Sequence, residues 1–524
     1  MPLAYLTPSA KLGALREGML NLKKLFLIFI LLGGLSNSRA SQLKDEIKRQ
    51  LSKPRGDFLV NSKSPHQMRL LSSGLSALQL RLNLINSAQT SIELEYFIYN
   101  SDNAGKLITQ ALLKKVKEGV SVRLLLDHFM ISSQITPFHA HELEKAGVKV
   151  RFYNDLLWIH AFKAQYRNHR KTFIIDGKKA IIGGRNIGNE YFDLDNSFNF
   201  IDREIFIEGP IVKNIQETFN AGWSAKPTVS VKRQNKPKRF DLRYRRHAGG
   251  SNRLRASYAF EEDLRRWKRR VRQAKNFLKI DSDYLILKER ISSLAPQLLS
   301  EQIEGTCHDV TFASDRPGVG AWTQKKARIL KYVVYDRMFK SRNHLLIDSP
   351  YFIVEGAYKE ILKELLEQGR KIEVLTNSLY STDAFYVNAH FNTILPTWLK
   401  KGLRATVFSG DVLPDYKTLS PVISKARWGT HSKTFVFDEE SFMVGAYNFD
   451  SRSSYYSTEL AVFCDDGAEL ANAIKDSIRR RMENGILLKT KKDIDKYKFK
   501  KTSLLKRLGY YLVKIPAALF DHLL

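Results

Sequence analysis

Apolar positions along this chain keep two rhythms in turn, and the whole succession occurs twice. Ile92-Glu-Leu-Glu-Tyr-Phe-Ile-Tyr99 is strand-like, Ala104–Glu118 has apolar residues three and four apart, and Val122-Arg-Leu-Leu-Leu-Asp127 is strand-like again. The order recurs as Leu345-Leu-Ile-Asp-Ser-Pro-Tyr-Phe-Ile353, Tyr358–Gln368 and Ile372-Glu-Val-Leu-Thr376. Strand, helix, strand predicts parallel strands joined by crossover helices, hence an α/β sheet flanked by helices in each half. A period this long means two domains and not a solenoid.

A shorter signature sits inside each copy. His169-x-Lys171-x4-Asp176 is matched by His431-x-Lys433-x4-Asp438, 262 residues later. In the first, Thr172-Phe-Ile-Ile175 runs into Asp176-Gly177, a hairpin turn, and Lys178–Ile182 returns. In the second, Thr434–Phe437, Asp438 and Ser441–Val444 repeat the hairpin. Alternation along a strand puts histidine and lysine on one face. Gly183-Gly184-Arg185-Asn186 and Gly445-Ala446-Tyr447-Asn448 follow, and each asparagine falls seventeen residues after its histidine. A glutamate lies further on in each copy, Glu204 and Glu459. One such motif is weak evidence, because a lone histidine is usually a satisfied surface or core residue. Two copies with matching hairpins and asparagines point to one site that uses two imidazoles and two ammonium groups. That set suits a phosphodiester: one imidazole attacks, the other donates a proton, and the cations hold phosphate.

Charge narrows the partners. The 524 residues carry 85 Lys+Arg against 54 Asp+Glu, a formal net charge of +31, which fits a polyanion, either nucleic acid or an anionic membrane surface. Lys232–Lys279 is dense in Arg and Lys, with Tyr244 and Trp267 among them, and reads either as a solvated linker and helix face or as a phosphate-docking patch. Lys489–Lys501 is a second basic cluster. It precedes Leu504, Leu505, Leu508, Tyr511, Leu512 and Ile515 at helical spacing, a basic amphipathic helix that either lies in a membrane interface or packs on the domain surface. Cys307 and Cys464 are too few for a disulfide framework or a four-thiolate zinc site; one bridge and two free thiols are both open. Lys23-Lys24, the apolar run Leu25–Leu32 and Ser38-Arg39-Ala40 predict a secretory signal with cleavage after Ala40, an uncleaved membrane anchor being the alternative. The expected divisions are therefore 1–40, a first domain 41–245, a linker and second domain 246–488, and a C-terminal segment 489–524.

The doubled signature resembles that of the phospholipase D superfamily, and the likeness covers nearly all of the mature chain. Within it the chain is similar to bacterial cardiolipin synthases of the C type, on Gly183-Gly-Arg-Asn-Ile-Gly-Asn-Glu-Tyr-Phe192, Asp309-Val-Thr-Phe-Ala-Ser-Asp-Arg-Pro317, Asn377-Ser-Leu379 and Thr382-Asp383. The resemblance implies two similar α/β/α sandwich domains related by a pseudo-twofold, with one active site at their interface. It implies that His169 is the nucleophile and His431 the general acid and base, though the two roles can be exchanged. Lys171, Lys433, Asn186 and Asn448 would hold the phosphoryl oxygens. Glu204 and Glu459 would orient the imidazoles, and Asp176 and Asp438 would maintain the local structure of the catalytic motif. Relatives of this type carry Asp-x-Asp where this chain has Asp202-Arg203-Glu204, so the imidazole held there is expected to sit differently. The activity implied is phosphatidyl transfer to form cardiolipin by a monomer at the periplasmic face of a bacterial membrane, with lipid substrates and no metal or other cofactor. Phospholipase D hydrolysis, or an exported phosphodiesterase or endonuclease acting on nucleic acid, is the alternative.

Overall fold

The computed structural model describes residues 39–128, 134–154, 165–239, 252–300, 302–318 and 327–519. The apolar run of the expected signal lies outside them, as do Arg243, Tyr244, Arg245, Arg246, Gly249 and Gly250 of the basic linker.

Each half forms a nine-stranded mixed sheet, and the two sheets have the same strand order. At the centre of the first, Ser91–Tyr96 pairs in parallel with Ser121–Asp127 and antiparallel with the hairpin strand Thr172–Ile175. At the centre of the second, His344–Asp348 pairs in parallel with Lys371–Asn377 and antiparallel with Thr434–Phe437. The crossover helices are Asn103–Lys117 and Ala357–Glu367. In the first, Ala104, Leu107, Ile108 and Leu112 are buried; in the second, Tyr358, Ile361, Leu362 and Leu365. This is one apolar stripe at 3.6-residue period facing each sheet. Asp102 caps the first helix by accepting from Gly105 N, and Lys114, Lys115 and Lys117 crowd its carbonyl end. Both helices stop just before a glycine at positive φ, Gly119 at 91° and Gly369 at 77°, where a side chain would be strained.

The halves exchange edge strands. Leu59–Ser62 comes from the N-terminal half yet pairs with Val310–Ser314 in the second sheet, and Glu304–Cys307 pairs with His66–Leu71 in the first. Sheet membership therefore does not follow a single cut at 245. A two-stranded parallel ribbon, Phe198–Ile201 beside Arg427–Thr430, joins the halves again. One apolar core fills each half, and a third cluster draws on both, from Ile174, Ile182, Ile215 and Phe219 to Phe312, Val436, Val444 and Ile474. Truncating a buried Ile or Leu in such a cluster costs about 2–5 kcal/mol. The two sheets are thus held as one body. Cys307, on the exchanged strand, is disulfide-bonded to Cys464 of the second sheet, which resolves the choice between a bridge and free thiols.

In the basic stretch, Asn252–Phe277 is a helix whose Arg265, Arg266, Lys268 and Arg270 are exposed. It packs through Phe277 on His139, with Arg270 over Phe138, and Trp267 donates to Gln234 O at 3.1 Å. The tryptophan anchors the segment to the protein.

Candidate active site

The strands expected to carry the motif residues begin later than expected. His169 and Lys171 lie in extended backbone just before Thr172–Ile175, and His431 and Lys433 lie between Arg427–Thr430 and Thr434–Phe437. Lys433 O still accepts from Gly445 N at 3.3 Å within its own sheet, but the histidines at the start of these three-residue stretches do not extend their own hairpins. They pair across the pseudo-twofold. His169 N donates to Thr458 O at 3.0 Å and His431 N donates to Ile201 O at 2.8 Å, so each histidine lies against the segment leading to the other half's carboxylate.

The carboxylates follow the same crossing. His169 Nδ1 lies 2.9 Å from Glu459 Oε2, and His431 Nδ1 lies 2.6 Å from Asp202 Oδ2. With Nδ1 engaged, Nε2 is the nitrogen each ring offers for chemistry. Glu204, expected to orient an imidazole, does not do so. It is buried between Arg81 and Arg185, in the half where it originates. Register explains the error. Gly183 pairs with Glu204 and its counterpart Gly445 pairs with Ala461, so the twofold mate of Glu204 is Ala461, and that of Glu459 is Asp202. The departure at Glu204 from the family's Asp-x-Asp therefore falls away from the imidazoles.

Both lysines are buried, and each Nζ donates to the carbonyl of its own histidine. Lys433 Nζ also lies 2.9 Å from His431 Nδ1, and a side chain at Gly184 would meet Lys433, so close packing continues across the interface. Asn186 Oδ1 accepts from Ile98 N at 3.3 Å; Asn448 Oδ1 is buried without a partner among the described residues. Phe97 packs edge-on to His169, while Tyr191 and Phe200 flank His431 with centroids 5.3 and 4.9 Å away.

Burial and the neighbouring cations set the protonation states. The His169 imidazole is driven well below its usual range, first by desolvation and then by Lys171, Lys433 and His431. His431 is lowered to about 4, again by desolvation first and Lys433 next, against the pull of Asp202. Desolvation lowers Lys171 well below the usual ammonium range and brings Lys433 to about 8, against the attraction of Asp202 and Glu459. Asp202 is held down despite burial, by His431 and Lys433, whereas burial pushes Glu459 well up. Burial thus shifts both imidazoles and both ammonium groups towards their neutral forms. An anion placed among these four groups would favour their charged forms.

Asp176 and Asp438 are not at the reacting end. Each sits at positive φ, 53° and 55°, at the far end of its hairpin strand from the histidine. Asp176 accepts from Gln89, Thr90 and Ser91 N, and Asp438 from Arg342, Asn343 and His344 N. They tie the hairpin to the start of the neighbouring strand, so their place in the catalytic signature is structural.

Several supporting residues carry no motif of their own. Ser453 Oγ donates to Glu459 Oε1 at 2.9 Å, and Asp315 accepts from Glu459 N at 3.1 Å. Glu95 receives Asn168 and Arg170, beside the first histidine. Its register mate Asp348 receives Thr430 and Arg481, beside the second. Both were visible as acidic residues inside apolar strands, which signals a buried polar partner.

A duplicated α/β fold that delivers one histidine–lysine pair from each half to a single buried site defines a phospholipase D-type phosphotransferase. The family model described as "Cardiolipin synthase, PLD-like domain" matches residues 82–223 and 334–483, and the chain belongs to that family. Cardiolipin synthase C of Escherichia coli K12 is 26% identical over 432 residues, covering 79% of this chain and 84% of that protein. A cardiolipin synthase of Clostridium perfringens SM101 is 25% identical over 441 residues, covering 83% and 73%. Among solved structures, phosphatidylserine synthase of Haemophilus influenzae Rd KW20 superposes with a TM-score of 0.59 over 91% of this chain and all of that one, at 15% identity, a likeness of fold. The protein is a phospholipid phosphatidyltransferase of this family.

Proposed function

We propose that the enzyme makes cardiolipin from phosphatidylglycerol and a second phospholipid through a phosphohistidine on His169. The observation that carries this reading is the crossed pair of dyads, each imidazole fixed at Nδ1 by a carboxylate of the opposite half. His169 Nε2, neutral and desolvated, attacks the donor phosphorus. The bond to the head-group oxygen breaks, and that oxygen takes a proton from His431, which the bound phosphate and ionised Asp202 favour as imidazolium. Lys171 and Lys433, with Asn186 and Asn448, offset charge on the non-bridging oxygens. A hydroxyl of phosphatidylglycerol then gives its proton to His431 and attacks phosphorus, and the P–N bond to His169 breaks. Asp202 suits the general-acid role for His431, because a carboxylate held ionised stabilises imidazolium better than one pushed towards its neutral form.

The chain acts as a monomer at the periplasmic face of the membrane in this account. Both motif histidines come from one chain, and the Cys307–Cys464 bridge suits an oxidising compartment.

The test is lipid mass spectrometry on the purified chain with phosphatidylglycerol vesicles, with and without phosphatidylethanolamine. His169→Ala and His431→Ala are run alongside. Cardiolipin that requires both histidines is expected. Phosphatidic acid as the sole product would overturn transfer in favour of hydrolysis. Cleavage of nucleic acid without lipid turnover would overturn the lipid reading.

A further inference from the structure

The C-terminal helix Leu504–Leu519 has two apolar faces, and only one has a partner. The inner face lies on the helix Phe385–Lys400: Tyr510 packs with Leu379 and Ala389, Gly509 approaches the Phe385 ring, and Val513 adds to the contact. The outer face carries Leu504, Leu505, Leu508, Tyr511 and Leu512, at 74%, 82%, 56%, 56% and 78% exposure. Their spacing of one, three, three and one places them on a single stripe. Isolated exposed leucines need no explanation, but a contiguous stripe of five does.

We infer that this outer stripe is a membrane-docking surface whose occupant is the interface of an anionic phospholipid bilayer, and that it seats the active-site mouth on that bilayer. The inference rests on the lipid reading of the site. Three observations select the occupant. The flanking segment is basic, with Lys491, Lys492, Lys500 and Lys514 exposed, which matches anionic head groups. No helix among the described residues is long and apolar enough to cross a membrane, so this one lies along the interface. The helix is also tied to the site. Lys506 Nζ donates to Thr382 O at 2.6 Å and Tyr380 O at 3.3 Å, bracing the turn that presents Asp383. The Asp383 carboxylate accepts from Tyr351 Oη at 3.1 Å and lies within electrostatic reach of His431 and Lys433. Tyr386, at the start of the helix that Gly509 and Tyr510 pack against, is also partly exposed, at 39%.

The experiment is vesicle sedimentation of the full chain carrying His431→Ala, with and without Leu505→Glu and Leu512→Glu. Vesicles are phosphatidylglycerol–phosphatidylcholine mixtures or phosphatidylcholine alone. Binding to the anionic vesicles is expected to fall at least tenfold in the double-glutamate chain. In the His431→Ala background this readout needs no catalysis, so it stands apart from failure of the cardiolipin reading. With His431 restored, turnover of short-chain phosphatidylglycerol below its micellar concentration is expected to be unchanged, while turnover on vesicles falls with binding. Leu508→Trp is expected to shift its emission to the blue on anionic vesicles. Undiminished vesicle binding, an unshifted tryptophan, or equal loss on monomeric substrate would overturn the proposal. So would a lipid-free dimer, seen by light scattering, that the two glutamates dissociate, because the occupant would then be a second copy.

Discussion

Asp202 and Glu204 stand two positions apart and do different work. Asp202 holds His431 across the interface; Glu204 neutralises Arg81 and Arg185 within the first half. Asp202→Asn is therefore expected to lower kcat/KM by roughly 10²-fold or more with little change in Tm, since it weakens the imidazolium form of His431. Glu204→Gln strands two buried guanidinium groups and is expected to cost about 3–5 kcal/mol of stability, while the folded fraction keeps kcat/KM within about tenfold. Thermal melts and steady-state kinetics on both variants check the pair. Lys433 gives a pH prediction with a definite sign. Its ammonium is lowered to about 8, so charge on the phosphate-binding side is lost as pH rises through that value. The alkaline limb of kcat/KM is expected near pH 8 and should move up in Lys433→Arg, whose charge persists. At this scale the two histidines and two lysines were legible in the sequence because the spacing repeats. The carboxylate partner of His431 was not, because it is set by strand register across the twofold, and counting forward to the next glutamate lands on the wrong strand position.

At the scale of elements, the hairpins show how a catalytic signature can include residues that never meet substrate. Asp176 occupies a left-handed turn position and accepts three backbone N–H groups plus the Thr90 hydroxyl at 2.9 Å. Those bonds hold Asp176 below the usual carboxylate range, although burial opposes them. Asp176→Ala exchanges these bonds for water and puts alanine at a left-handed φ, and is expected to destabilise the fold by about 1–2 kcal/mol, with kcat/KM of the folded protein nearly unchanged. Denaturant melts paired with kinetics test it, and Asp438→Ala should behave alike. The crossover helices and the starts of their strands were legible to within one residue, since apolar period and glycine stops are local signals. The strand before each helix ends three and five residues sooner than expected, at Tyr96 and Asp348. The start of the motif strands was not legible, because His169 and His431 are held by backbone bonds from the opposite half, which no local pattern encodes.

At the scale of the molecule, the halves are woven together. Leu59–Ser62 and Glu304–Cys307 each complete the other half's sheet, and the Cys307–Cys464 bridge pins the crossing, 157 residues apart in sequence. A bridge closing so long a loop contributes on the order of 4 kcal/mol. Reduction is expected to lower Tm and to give the same melting curve as Cys307→Ser with Cys464→Ser; an unchanged curve would argue that the bridge does not form. Duplication was legible from the repeat, whereas strand exchange was not, since a short edge strand carries no mark of which sheet it joins. The same weave makes the site a joint product of both halves, so an isolated half offers one imidazole without its carboxylate.

That joint site is tested most directly by locating the covalent intermediate. The wild-type chain is mixed with phosphatidylglycerol vesicles, quenched in alkali within a turnover, deacylated, digested and analysed by peptide mass spectrometry. A phosphoglycerol adduct on the peptide containing His169, absent in His169→Ala, is the predicted result. An adduct on the His431 peptide, or none on either while lipid is turned over, would contradict the account.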